Sequence, residues 1–556
     1  MNKLLRVSVG LAMMLALLLS AGSAFADADP PVVDEILNPG DVLVVNKTVT
    51  TPPIPPNPDV CFLADTTGSM GTALTNVQAN ATAVMTTVQL AQPTAQFCVV
   101  EYRDIGDSLP VGGYLRLNQS MTANIATAQA AINTWGPGGG GDTPEAQLPA
   151  LNYVATDPSI GFRTGSTRII AWFGDSNGHD PRAGVSLAMA IASLQAAGIR
   201  VVAVPVTAGG NGLDNGGQAT AIVGATGGSL VAADPNAVAA AILAGLQNLP
   251  VTITPTAVGC APLNVSFVPA SQTVTSGNNA NFTETITVPN DPSLAGTKTS
   301  CTVEFRDDNA NLIATESITI TIPIYLDLNP NTDTNELGPG ATHTVTATVT
   351  DGNGTGAPGK TVTFSVTTGP NAGANGSGNT DASGNASFTY AATQGLAGLG
   401  TDTISACVKD QDGVDYCDLV TKEWVDTTPP VPLCTEGVNP AGNTPKAPGK
   451  GGQGQNQDGF YQLQAVDIVD PDPDIFVVDM GADNVFGTAD DFSFGPFANL
   501  TDIKYTEANG AAPSIKEGSG DVEWNIKGQG DAAVYGLDFS GNASDPVFCL
   551  VPPPPQ

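Results

Sequence analysis

The segment Asp65-Thr66-Thr67-Gly68-Ser69 puts one carboxylate and two hydroxyls at alternate positions, directly after the apolar run Val60-Cys61-Phe62-Leu63-Ala64. Gathered in one turn, these are hard oxygen donors, suited to Mg²⁺ or Mn²⁺ rather than to zinc. Alone the pattern says little, because Asp, Ser and Thr are ordinary in turns and helix caps. Two further loops add to it. Gly138-Gly139-Gly140-Gly141-Asp142-Thr143-Pro144-Glu145 offers the Thr143 hydroxyl on a flexible loop before a helical stretch. Gly174-Asp175-Ser176 sets a second carboxylate immediately after another apolar run.

The elements that must position these loops follow from the spacing of apolar runs. Phe97-Cys98-Val99-Val100-Glu101-Tyr102, residues 168–173, residues 201–206 and Leu230-Val231 repeat the texture of residues 60–64, with Ala-rich helical stretches at 185–197 and 236–249. Short apolar strands alternating with helices predict a parallel sheet covered on both faces. Ligands bind such sheets at the carboxyl ends of the strands, where Asp65 and Asp175 fall. Residues 59–249 therefore read as one doubly wound α/β domain.

With its three loops, this stretch resembles a von Willebrand factor type A (VWA) domain carrying a metal-ion-dependent adhesion site. Glu101-Tyr102-Arg103-Asp104 after the second strand and Thr226-Gly227-Gly228 before the last add to the likeness. The resemblance implies that Ser69 and Thr67 ligate the metal directly and Asp65 mainly through water. It implies that Thr143 switches between direct and water-mediated ligation and that Asp175 completes the shell. Many family members have serine where Thr67 stands, and the hydroxyl survives. One coordination position is expected to stay open for a partner's carboxylate. His179 reads as a solvated loop histidine, and Asp104 and Asp180 as solvated charges on the rim.

The flanks are different. Residues 1–26 read as a signal peptide: Lys3 and Arg6 precede an apolar run, and Ala24-Phe25-Ala26 is a cleavage site. Eight cysteines in an exported chain predict disulfides. Cys260–Cys301, Cys407–Cys417 and Cys434–Cys549 are the expected bridges, while Cys61 and Cys98, both in buried strands, need no partner and are left open. Residues 27–58 form an extended, proline-rich segment in which residues 41–49 are expected to pair with the β-sandwich of residues 250–325. Period-2 alternation and Asn-Gly or Asp-Gly turns predict immunoglobulin-like sandwiches at 250–325 and 326–425, and a β-rich domain at 426–556. The 326–425 segment, with Gly359-Lys360-Thr361-Val362-Thr363-Phe364 and Asn385-Ala386-Ser387-Phe388, resembles bacterial immunoglobulin-like domains of the invasin type, which implies a stalk or spacer. Residues 479–491 have the composition of a Ca²⁺ loop without EF-hand spacing; an exposed acidic hairpin is the other reading. Gly449 to Gly454 is expected to be mobile.

Composition excludes several functions. With 53 Asp plus Glu against 19 Lys plus Arg, the formal charge is −34, the wrong sign for gripping nucleic acid. Two histidines leave little material for a His-based triad or zinc site. No later segment has the length and apolarity of a membrane span. No activated nucleophile or acid–base pair stands out, so an enzyme is not expected. Two functions remain. One is a secreted or surface-associated adhesion protein whose metal binds an acidic group on a protein or matrix partner. The alternative is a self-associating structural component of an envelope or matrix, in which the metal only braces the fold.

Overall fold

A computed structural model describes residues 27–436, 458–480, 483, 485–507, 515–518, 521–526 and 532–549. The expected signal peptide, the Gly449–Gly454 stretch and the proline-rich C-terminus lie outside them. The chain divides into two compact units, Met1–Asn290 with Lys298–Thr321, and Asp291–Thr297 with Ile322–Gln556. It is multidomain and mostly β, and among the described residues no helix is long and apolar enough to cross a membrane.

The first unit opens with three strands, β1 (Asp27–Asp29), β2 (Val32–Ile36) and β3 (Val42–Thr50). A second body of structure then intervenes: β4 (Pro58–Asp65), α1 (Gly71–Ala91), β5 (Gln96–Tyr102), β6 (Leu115–Thr122), α2 (Ile125–Ile132) and α3 (Gln147–Thr156). It continues through β7 (Thr167–Gly174), α4 (Leu187–Ala196), β8 (Ile199–Pro205), α5 (Gln218–Thr226), β9 (Ser229–Leu230) and α6 (Val238–Gln247). After it come β10 (Pro250–Val258), β11 (Asn264–Val268), β12 (Gln272–Thr275), β13 (Asn279–Thr287), β14 (Lys298–Arg306) and β15 (Leu312–Thr321).

The intervening body is one six-stranded sheet in the order β6-β5-β4-β7-β8-β9, parallel except for edge strand β6. Its central strand β4 is buried along its whole length, which is why residues 60–64, between Asp59 and Asp65, are a continuous apolar run. Alternate residues serve opposite faces. Val60, Phe62 and Ala64 pack in a core with residues of α1, α2 and α6, while Cys61 and Leu63 pack in another with residues of α3, α4 and α5. In α1 the buried Ala73, Leu74, Val77, Ala81, Val84, Met85 and Val88 recur at helical spacing. Full burial of a Val, Leu or Phe contributes about 1.5–3 kcal/mol, so both faces are held strongly.

The strands before and after this body form one sandwich. One sheet runs β1-β3-β13-β11 and the other β12-β10-β14-β15-β2. Strand β3 pairs along its whole length with β13, Val42 opposite Thr287 and Thr50 opposite Asn279. The insertion leaves and returns at one turn: Thr51 N–H donates to the Asn278 carbonyl (3.1 Å), Gly277 N–H to Pro52 (2.9 Å) and Ser276 N–H to Leu249 (2.9 Å). The β14–β15 loop docks at the amino end of β7, where Asn309 Nδ2 donates to Thr167 Oγ1 at 3.2 Å. The carboxyl ends of the inserted strands face the other way.

The second unit repeats the sandwich without the insertion. Its strands are β16 (Tyr325–Asn329), β17 (Thr332–Glu336), β18 (Thr342–Thr350), β19 (Thr361–Thr368), β20 (Asn375–Asn379), β21 (Asn385–Ala391), β22 (Gly400–Lys409) and β23 (Asp415–Val425). They are ordered β16-β18-β21 and β17-β23-β22-β19-β20, the first sandwich's plan less β11. The strand-by-strand match aligns Pro30 with Pro330, Leu37 with Leu337, Pro39 with Pro339, Gly40 with Gly340 and Val49 with Val349. The short loop 351–360 stands where the first sandwich carries residues 51–249. Beyond β23, the described residues form two further sheets, of five and four strands.

Among the described residues three disulfides are formed: Cys61–Cys98, Cys260–Cys301 and Cys407–Cys417. Cys61 and Cys98 are directly opposite in β4 and β5, and so are Cys407 and Cys417 in β22 and β23. The side chains of Cys434 and Cys549 lie outside those described.

Candidate metal centre

Strand β4 delivers Asp65 to the carboxyl end of the sheet, where it is 0% exposed. Thr67 folds back on it, its N–H and Oγ1 both donating to Asp65 Oδ1 at 2.9 and 2.7 Å. Ser69 is exposed, with Oγ 3.5 Å from Thr67 Oγ1. The residue between, Thr66, anchors the turn to β5: its N–H donates to the Tyr102 carbonyl at 3.0 Å and its hydroxyl to Glu101 Oε2 at 3.0 Å. Arg103 Nε in turn donates to Thr66 Oγ1 at 3.0 Å.

Asp175 follows β7 and is buried. Its Oδ2 accepts from Gly210 N–H at 2.9 Å and its carbonyl from Gly212 N–H at 2.7 Å. These glycines belong to the loop after β8, which sequence reasoning overlooked. A Cβ on Gly210 would fall 2.3 Å from the Asp175 carbonyl oxygen, and one on Gly209 3.3 Å from Ser69 Cβ. The consecutive glycines Gly209-Gly210 after an apolar run were the signal for such a close crossing.

The polyglycine loop closes another side. Gly138 N–H donates to the Thr66 carbonyl at 3.0 Å, and a Cβ on Gly140 would lie 3.0 Å from Thr67 Cβ and 3.3 Å from Glu145 Oε1. Thr143 is exposed on this loop and does not hydrogen-bond to Asp65, Thr67, Ser69 or Asp175. Of the loop's two carboxylates, Asp142 is exposed while Glu145 reaches inward and is 2% exposed. The structure thus brings Asp65, Thr67, Ser69 and Asp175 around one spot, adds Glu145, and leaves Thr143 at the lip.

The electrostatics are those of crowded carboxylates. Burial above all, with a further push from Asp175, raises Asp65 to about 7 against the opposing Thr67 bonds. Burial, then the charges of Asp65, Asp104, Asp107 and Asp142, raises Glu145 to about 8. Asp65 Oδ2 and Glu145 Oε2 are both buried without a hydrogen-bond partner among the described residues. The floor is Tyr102, whose hydroxyl accepts from Trp172 Nε1 at 3.0 Å and which burial holds well above its ordinary pKa. An all-oxygen donor set with two donorless buried carboxylate oxygens fits a hard divalent cation.

The rim corrects two expectations. Asp104 is not a solvated charge; it is 5% exposed and held by Arg182, with Nε 3.0 Å from Oδ1 and Nη2 on Oδ2. Its solvation is replaced by the guanidinium fork. His179 is only a quarter exposed, its Nε2 3.6 Å from Asp142 and 3.9 Å from Asp104. Asp180 is exposed, and its Oδ1 accepts from Leu187 N–H at 3.1 Å. In the acidic stretch near the C-terminus, Asp483, Asp490 and Asp491 bring carboxylate oxygens within 4.8 Å of one another. Asp491 Oδ2 there accepts from Gly487 N–H at 2.7 Å.

Residues 59–182 match the profile of the von Willebrand factor A domain. The chain therefore carries a VWA-type domain, and the matched stretch includes Asp65, Thr67, Ser69, Thr143 and Asp175. No curated protein matches the chain.

Proposed function

We propose that the chain is an exported binding protein whose VWA-type domain holds one Mg²⁺ or Mn²⁺ ion on Asp65, Thr67, Ser69 and Asp175, with Thr143 joining from the lip of the glycine loop. Through that ion it grips an acidic group on an extracellular protein or matrix partner. The observation that carries this reading is Asp65 itself: one oxygen is saturated by Thr67, and the other is buried with no side-chain donor, beside the Asp175 carboxylate. A cation satisfies both carboxylates where no side-chain donor does. When bound, it supplies a Lewis-acidic position for a partner's carboxylate oxygen. Thr67 and Gly210 hold the two carboxylates in place, and the glycine loops keep side-chain atoms from filling the space above them. Export is supported by the signal-like N-terminus and the three disulfides.

Retention on a panel of immobilised matrix proteins with and without Mg²⁺ tests the reading. Binding should vanish in EDTA and in Asp65→Ala; binding that survives both removes the mechanism. Glu145 favours the second reading, a structural protein in which the metal only braces the fold. A third carboxylate near the ion leaves less excess positive charge for an outside anion. Chelation that lowers the melting temperature while changing no binding would select that reading.

A further inference from the structure

The core of the split sandwich contains three ionisable side chains where its alternation calls for apolar ones. Lys47 on β3, Glu284 on β13 and Glu316 on β15 all point inward, and all three side chains are 0% exposed. Lys47 Nζ lies 2.5 Å from Glu316 Oε1 and 3.9 Å from Glu284 Oε2, and it also donates to the Pro30 carbonyl. Three of the four carboxylate oxygens, Glu284 Oε1 and Oε2 and Glu316 Oε2, accept nothing from the described residues. As an ion pair this is a poor arrangement: two carboxylates share one ammonium, away from water and short of donors.

A covalent bond resolves it. We propose that Lys47 and Glu316 join in an amide cross-link, with Glu284 as the proton carrier. In a water-excluded core, proton transfer from the ammonium to a carboxylate leaves a neutral, nucleophilic amine. The nitrogen attacks Glu316 Cδ, a C–N bond forms and one C–O bond breaks. Two of the three ammonium protons leave with that oxygen as water, one of them delivered by Glu284. Charge balances, since an ammonium and a carboxylate become a neutral amide. Burial first, and then the neighbouring Glu316, hold Glu284 above the usual carboxylate range, so it has the proton this role needs. Afterwards its O–H can donate to the new amide carbonyl.

The second sandwich holds the contrasting case. Lys422 is also buried, but it meets Asn335 and the Asp333 carboxylate, whose side chain is 34% exposed. The Lys422 hydrogen bond holds Asp333 below the usual range, and that carboxylate stays ionised and wet. That pair is a satisfied salt bridge, and its titratable neighbour is His343, whose Nδ1 lies 3.3 Å from Asp333 Oδ2, rather than a second carboxyl. The Lys47–Glu316 bond, by comparison, would tie a strand preceding the inserted domain to a strand following it, across the two sheets.

Tryptic mapping of the reduced full chain by tandem mass spectrometry tests this. The expected product is a branched peptide joining the Lys47 and Glu316 segments, lighter than their sum by one water and uncut after Lys47. Two linear peptides at full mass, with cleavage after Lys47, overturn the proposal. Lys47→Arg should abolish the branch; a one-water deficit that persists there belongs to other chemistry and also overturns it. Glu284→Gln keeps both reacting groups and the core volume. It should give a folded chain, by circular dichroism, without the branch, and a branch retained in it removes Glu284 from the reaction.

Discussion

Asp65 has one oxygen bonded by Thr67 and one without a side-chain partner, and Gly174 keeps the space beside the second open. A Cβ at Gly174 would lie 2.7 Å from Tyr102 Oη and 3.0 Å from Asp65 Oδ2. Gly174→Ala should therefore cost about 1–3 kcal/mol by overpacking, seen as a lower melting temperature, and weaken Mn²⁺ binding in a calorimetric titration. A second carboxylate, Asp426, gives a pH prediction. Burial, then the charges of Asp467 and Asp538, raises it to about 6 in the folded chain. Its protonated form is thus favoured by folding, and the stability this brings is complete below the unfolded value near 4 and lost as pH rises through about 6. Melts of Asp426→Asn against the parent should show the variant more stable at pH 7, with the gap closing towards pH 4. At this scale the sequence exposed Asp65 and Asp175, because each stands at the end of an apolar run, and Thr67 and Ser69, because they alternate with Asp65. Glu145 was illegible for a physical reason: after Thr143-Pro144 it reads as the start of a helix, and only the fold of the glycine loop turns it inward. Lys47 gave even less away, being one charge in a Thr- and Val-rich strand.

Among the elements, the inserted sheet was the most legible, since strands buried on both faces must be continuously apolar. A buried cysteine packs as well free as bonded, so sequence alone leaves the Cys61–Cys98 bridge open; strand register decides it. Both residues are 0% exposed, so this bridge should resist mild reductant in the native chain and open on denaturation, as a thiol-alkylation mass shift would show. The repeat of the two sandwiches was hidden because Thr/Val alternation carries little identity. The equivalence of Pro30, Leu37, Pro39 and Gly40 with Pro330, Leu337, Pro339 and Gly340 becomes visible only once strand order fixes the alignment.

For the whole molecule, the paired exits at Thr51 and Leu249 make the inserted domain separable. Replacing residues 53–248 with the loop sequence of 351–360 should leave a sandwich that still melts cooperatively, with a β-type circular dichroism spectrum; a chain without a cooperative transition would show that the sandwich depends on its guest. The same arrangement also orders events during synthesis. Strand β3 ends at Thr50, and its partner β13 begins at Asn279. At roughly 5–20 residues per second, that strand waits on the order of tens of seconds for its neighbour to leave the ribosome. The inserted sheet, by contrast, has all its strands between Pro58 and Leu230 and can close first. The guest is then complete before its host exists, and the last strands to emerge have to find the first strands made.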